Sequence, residues 1–133
     1  MAIDFAARAR ALIGTRFRPQ GRDQAGLDCI GLVAAVYDVP VSGIPRAYRL
    51  RGDHRTELEQ GLAPFFRRLS PAKMRSGDIM LLKVREDQVH LAVRSPAGFI
   101  HAHAGIGRVV ETPGQPEWPL LGAYRRRTKE RSG

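Results

Sequence analysis

Residues 26–39 read GLDCIGLVAAVYDV, and the reading of this stretch decides the fold. Asp28 is a helix N-cap residue, because its side chain can accept from the unpaired N–H groups of a first helical turn. Beyond it, Leu32, Val33, Ala34, Ala35 and Val36 leave hardly any polar face, so the helix belongs in the centre of a domain. Cys29, the only cysteine of the chain, falls in the first turn. There a thiol feels the positive end of the backbone dipole, which lowers its pKa and makes it a nucleophile. Further along the same helix it would be an inert small hydrophobe. Asp28 is a cap first, since its charge beside the thiol opposes thiolate formation. Pro40 and Pro45 end the helix and start an extended connection.

Outward from that helix the chain divides into helices first and strands afterwards. Asp4 caps a first helix through about Ile13, with Gly14 as its stop. Residues 15–27, rich in Gly, Arg and Gln, read as a loop. A third helix is expected from near Arg55 to Leu69 on the stripe Leu58, Leu62, Phe65, Phe66 and Leu69, with Gly61 and Pro64 as irregularities. After Pro71 the strings DIMLLKV, QVHLAVR, GFIHA, RVVET and LGAYR read as short strands between turn residues. The expected class is therefore α+β, an antiparallel sheet packed on the buried helix.

The 133 residues, 43% apolar and 26% charged, fit one domain with a real core. One cysteine excludes an internal disulfide and a Cys-cluster zinc site. No apolar run approaches the roughly 20 residues of a membrane span. Asp4, Arg8 and Arg10 break up any secretory pattern near the N-terminus, so synthesis in the cytoplasm without a signal peptide is expected. The net charge of +9 is concentrated at the end: residues 123–133 hold five basic residues against Glu130, a net of +4, which leaves +5 on the rest. Residues 125–133 read as a basic tail, either a solvated end or a grip on an acidic polymer or partner. Nucleic-acid binding through this tail lacks aromatic platforms or a recognition motif.

A thiolate nucleophile needs a base and a group that orients the base. The strand half offers His90, His101 and His103. Ser95-Pro96-Ala97-Gly98 fits a type I turn. If these four residues close a hairpin, paired positions sum to 193, and His90 faces His103 with His101 lying diagonally on the same face. Diagonal neighbours are about 7–8 Å apart at Cα, within reach of imidazole rings. A three-residue loop would instead put His101 and His103 on the other face. Hairpin geometry does not choose between His101 and His103 as the orienting group. His-Ala-His with His90 also makes a possible zinc set. His54, in a polar stretch, reads as a surface residue; Asp78 shapes the turn into the first strand; Trp118 lines the cleft or plugs the core edge.

GLDCIGLV (26–33) resembles the cysteine signature of the NlpC-type bacterial cell-wall peptidases, a circularly permuted branch of the papain-like fold. SGDIMLLKV (76–84) is similar to the start of their sheet, VHLAV (89–93) to their base-bearing strand and GFIHA (98–102) to the strand of the third catalytic residue. The likeness runs in order from about residue 9 to residue 125. It implies Cys29 as nucleophile, His90 as general base and acid, His101 as the residue that orients His90, and the Cys29 backbone N–H as an oxyanion donor. It implies no cofactor. Two positions depart from the pattern. Phe17 stands twelve residues before Cys29, where many members carry a tyrosine that helps hold the oxyanion, and Ile30 replaces the usual serine. Arg18 or Gln20 is then expected to take the tyrosine's part, with Asp28 and His103 as further contacts in the site.

The activity implied is hydrolysis of amides in peptidoglycan stem peptides, often between D-γ-glutamate and the diamino acid. Short members with an insertion between helix and sheet resemble the tail-associated peptidases of phages and gene transfer agents, and residues 40–70 look like that insertion. The resemblance thus implies a virion tail component with other tail or baseplate proteins as partners, acting in the host periplasm. The rival readings are a structural tail or hub protein of the same fold without turnover, and a zinc-dependent hydrolase using His90, His101 and His103.

Overall fold

The computed structural model describes residues 3–18, 22–23, 26–40, 55–85 and 88–127. Helix α1 (Phe5–Arg10) starts where Asp4 accepts the Ala7 N–H at 3.0 Å, and it buries Ala6 and Ala9. It is shorter than expected. Ala11 to Gly14 form a turn, and Gly14, at φ +94°, donates its N–H to Val109 O. The following segment is not all loop. Arg16 forms a bridge with Arg108, and the two-residue strands β1 (Arg22–Asp23) and β2 (Gly26–Leu27) pair with each other.

Helix α2 (Cys29–Tyr37) is the hub of the domain. Asp28 Oδ1 accepts the Gly31 N–H at 2.7 Å, so the cap read from the sequence is made. Ile30, Leu32, Val33 and Val36 are fully buried, each contributing about 2 kcal/mol by removal of apolar surface from water. Asp38, in the left-handed conformation at φ 55°, turns the chain out before Pro40 is reached. Tyr37 ties the helix end to the rest: its hydroxyl donates to Gly77 O at 2.6 Å, and its ring meets Phe5 and Phe66.

Helix α3 (Arg55–Leu62) ends earlier than the apolar stripe suggests. Pro64 cannot continue a helix, and Phe66–Leu69 is a strand, β3, not a helical turn. Leu58, Leu62 and Phe66 all enter the core. The remaining strands are β4 (Ile79–Arg85), β5 (Gln88–Arg94), β6 (Gly98–His103), β7 (Arg108–Pro113) and β8 (Leu120–Arg126), reached after a 3-10 turn at Pro71–Lys73. They form one antiparallel six-stranded sheet in the order β3-β8-β4-β5-β6-β7. Among the described residues no helix is long and apolar enough to cross a membrane.

Alternation along the strands gives the sheet two differently clothed faces. Leu81, Leu91, Val93, Ile100 and Ala102 join the core around α2. Met80, Leu82, Ala92 and Phe99 form a second apolar cluster on the other face, capped by Met74, Trp118 and Leu120. The β5–β6 register is the expected one, Val93 opposite Ile100 and Arg94 opposite Phe99. Gly98 is required here, because a Cβ would lie 1.9 Å from Thr112 O on the neighbouring strand.

The basic tail reading is corrected for its first residues. Arg125 and Arg126 belong to β8, and Arg127 follows it directly. Arg125 pairs with buried Asp78 at 2.7 Å, and Asp78 also accepts the Arg75 N–H, shaping the turn into β4. Arg126 donates to Tyr37 O and Phe65 O and stacks over Phe65 and Phe66, while Arg127 donates to Ala63 O. Their stems and charges hold β3 and α2 against the sheet, which a strand pattern of alternating Ala, Tyr and Arg hides in a run of basic residues. Residues 128–133 and His54 lie outside the described residues.

Candidate active site

Cys29 is the first residue of α2 and is buried. With Phe17, His90, His101, His103 and Trp118 it lines a cavity of about 260 Å³. Two separate halves of the chain therefore meet in one cleft, the thiol from a helix start and the imidazoles from β5 and β6.

The imidazoles form a chain. His90 Nε2 lies 3.1 Å from His101 Nδ1, and His101 Nε2 lies 3.1 Å from Thr112 Oγ1. The His90 and His101 ring centroids are 5.2 Å apart at a steep angle, the diagonal contact expected from the hairpin register. With its Nε2 engaged by His101, His90 has only Nδ1 left to act as a base. If that Nδ1 carries the lone pair of a base, the rest of the chain is set. His90 Nε2–H donates to His101 Nδ1, and His101 Nε2–H donates to Thr112 Oγ1. Burial pulls the His90 pKa from 6.5 down to about 3, with the His101 and His103 charges adding to it. Burial, then His103, pulls His101 down to about 4. Both rings are thus neutral at pH 7, each with one N–H and one lone pair, as the hydrogen-bonded chain requires.

His103 differs from His101. Its Nδ1 accepts the Ile106 N–H at 3.0 Å, so this ring is used to close the β6–β7 turn. Among the described residues no group of three or more His, Cys, Asp or Glu side chains is arranged to hold a metal ion. The zinc set of His90, His101 and His103 is therefore not assembled: two of its nitrogens are turned on each other and a third is taken by a backbone N–H.

The chain matches no family model and no curated protein. Solved structures do resemble it. The NlpC/p60 domain of the peptidoglycan hydrolase SagA superposes with a TM-score of 0.58 at 22% identity, covering 83% of this chain and 86% of that one. The peptidoglycan hydrolase RipB from Mycobacterium tuberculosis gives 0.61 at 20% identity, covering 92% of this chain and 62% of that one. RipD from the same organism, described as a non-catalytic NlpC/p60 domain protein adapted to peptidoglycan binding, gives 0.57 at 17% identity over 91% and 92%. The fold is that of the NlpC/p60 domains.

On this NlpC/p60 fold the expected architecture is met: N-terminal helices, the cysteine at a helix start, and a C-terminal antiparallel sheet. Of the further site residues, Phe17 forms part of the cleft wall, held by its N–H to Gly107 O at 2.8 Å, and its ring offers no hydroxyl. Arg18 is exposed and does not line the cleft, so the structure does not bring it to the place expected of it. Gln20 lies outside the described residues. Asp28 is the helix cap and is buried. Trp118 is both cleft wall and core edge, with its ring 6.1 Å from His90 and 6.5 Å from Phe99 between centroids.

Thr112 is the site residue that the sequence reading missed. It pairs with Phe99 across β6–β7 while Val110 pairs with His101, which puts Thr112 diagonal to His101 on the same face. The signal was the register of this second hairpin. Its four-residue turn, Ala104 to Gly107, did not fix that register from sequence.

Proposed function

We propose that the protein is a cysteine peptidase that hydrolyses amide bonds in peptidoglycan stem peptides, between D-γ-glutamate and the diamino acid. The observation that carries this reading is the shared cavity of Cys29, at a helix start, and His90, whose ring is held by His101. In the proposed reaction the Cys29 sulfur attacks the scissile carbonyl carbon while its proton passes to His90 Nδ1. The Cys29 backbone N–H donates to the oxyanion. The C–N bond then breaks as His90 returns the proton to the leaving amine. A water, deprotonated by His90, attacks the thioester carbonyl, and the thiol is regenerated with that proton. His101 and Thr112 are positioning residues that keep the lone pair of His90 on Nδ1. The chemistry needs no cofactor.

The test is digestion of purified peptidoglycan with mass spectrometry of the fragments. The wild-type chain is expected to release fragments with a new diamino-acid amine, and Cys29→Ala to release none. Full lytic activity in Cys29→Ala would end the proposal. The cellular setting we propose is the tail of a virion or gene transfer agent, acting on the host wall beside other tail or baseplate proteins. Mass spectrometry of purified particles that lack the chain would reject it.

A second reading has its own observation. Phe17, without a hydroxyl, forms the cleft wall, and one structural neighbour is described as non-catalytic and peptidoglycan-binding. On that reading the chain would sediment with peptidoglycan but leave it undigested. Alkylation separates the two: an activated Cys29 reacts with iodoacetamide well below pH 8, whereas a structural thiol resists until unfolding.

A further inference from the structure

We infer that the large cavity on the far side of Trp118 seats a carboxylate-bearing part of the substrate peptide, with Arg94 as its anion contact. This rests on the stem-peptide reading above. The cavity holding Cys29 measures about 260 Å³, below the roughly 300–1,000 Å³ typical of ligand sites, so a peptide must extend beyond it. Trp118 is a wall of that cavity and equally of a second one of about 610 Å³. The indole thus marks the border of two adjoining compartments, and the second is the larger.

Its lining suits a peptide with one negative charge. Met74, Met80, Leu120 and the indole supply apolar surface, and Pro96 and Pro116 are among the other residues that line it. Among the described residues no acidic side chain lines it, and Arg94 is its only charged residue. Arg94 is fixed at its backbone, where its N–H donates to Asp78 O at 2.8 Å and its carbonyl accepts from Gly77 at 2.7 Å. Its half-buried guanidinium makes no hydrogen bond or ion pair among the described residues. Two carboxylates on adjoining elements, Glu111 and Asp78, are committed elsewhere, and exposed Glu117, between Pro116 and Trp118, does not itself line the cavity. Glu111 is held by Arg10 at 3.0 Å and by the Ser95 hydroxyl, and Asp78 by Arg125 at 2.7 Å. The cavity therefore carries one positive charge that no described residue neutralises.

A guanidinium recognises a carboxylate through two parallel N–H···O bonds, which an ammonium cannot reproduce and a carboxamide matches only in part. A γ-linked glutamyl residue leaves its α-carboxylate free, and the diamino acid carries a further carboxylate. The substrate class proposed for the active site thus brings the charge that the second cavity lacks. Arg94 would select stem peptides with free carboxylates over amidated ones.

The chain has one tryptophan, Trp118, so its intrinsic fluorescence reports this border directly. The experiment titrates a Cys29→Ser variant, which cannot turn over, with L-alanyl-D-γ-glutamyl-diaminopimelate and with its carboxamide analogue. The free peptide is expected to bind about 10-fold more tightly than the amide, the free energy of one charge-assisted contact. In Cys29→Ser/Arg94→Gln the ratio should fall to near one, and Arg94→Lys should restore it in part. An unchanged ratio in the Arg94→Gln background overturns the inference, as does equal binding of the two peptides in the parent. So does a fluorescence response to the peptide-free disaccharide that survives Arg94→Gln, since it would make the groove a sugar site. Digestion of peptidoglycan by the Arg94→Gln single variant keeps the two proposals apart. Wild-type digestion of free and amidated wall alike removes Arg94's role and leaves the peptidase standing.

Discussion

On the β5–β6 ribbon, Leu91, Val93, Ile100 and Ala102 point into the core around α2, whereas His90, His101 and Phe99 point to the other face. The two sets alternate, one residue apart, along the same strands. The first set is apolar, and its members touch the central helix. The second carries the titratable groups, each held by a specific neighbour: His101 by His90 and Thr112, His103 by a turn N–H. A period of two lets one ribbon fix the fold with one face and gather titratable groups on the other, provided the register never slips. A shift by one residue would bury the histidines under α2 and turn Leu91, Val93 and Ile100 to the cleft.

The comparison breaks most cleanly at neighbouring positions. His90→Ala is expected to lower kcat/KM on peptidoglycan fragments by about 10³-fold, the contribution of a positioned base, with the melting temperature unchanged or raised. Leu91→Ala, one residue on, should cost about 3 kcal/mol of stability in urea unfolding while the folded fraction keeps its turnover. Equal loss of activity and stability in both variants would erase the distinction between the faces.

Acid titration probes the cleft face by another route. His90 and His101 are held below their ordinary 6.5, at about 3 and about 4, so between those values and 6.5 the unfolded chain binds more protons than the native one. Their contribution to stability is complete above pH 6.5 and declines as pH falls through this window. The melting temperature should therefore drop steadily from pH 6.5 towards pH 4, and His101→Leu should flatten that slope. NMR titration of the imidazoles would check the cause directly; a His90 midpoint near 6.5 would contradict it.

Smaller effects sharpen the roles. Thr112→Val keeps shape but removes the acceptor for His101 Nε2–H, and about a 10-fold fall in kcat with KM unchanged is expected, near one hydrogen bond in energy. Thr112→Ser should restore it, which a purely packing role would not. Asp28→Ala removes the cap of α2 and should cost about 1 kcal/mol in thermal unfolding. No loss of stability would mean that the cap contributes nothing to the helix start that carries Cys29.

Much of this was legible in the chain because it rests on local rules. Asp28 followed by an unbroken apolar run reads as a capped, central helix, and a Ser-Pro-Ala-Gly turn between alternating strands reads as a hairpin whose register follows once the turn is four residues long. The misreadings share one physical cause. Phe66 and Leu69 fit a helical stripe as well as a strand; Pro64 stops the helix before them, and pairing with β8, more than fifty residues away, makes the segment a strand. Arg125 to Arg127 look like a solvated end until Asp78, Tyr37 and Phe65, all distant in sequence, supply partners.

By itself the sequence determined that a thiol stands at the start of a buried helix and that two histidines share a strand face, since caps, periods and turns act over a few residues. The tertiary structure alone decided which imidazole holds His90. His101 and His103 are equivalent under the alternation rule, and they part only because Thr112 and Ile106, brought in by the next strand and its turn, take one nitrogen from each. It likewise decided that Trp118 stands between two cavities, because a side chain becomes a wall only when the elements on both sides of it have met.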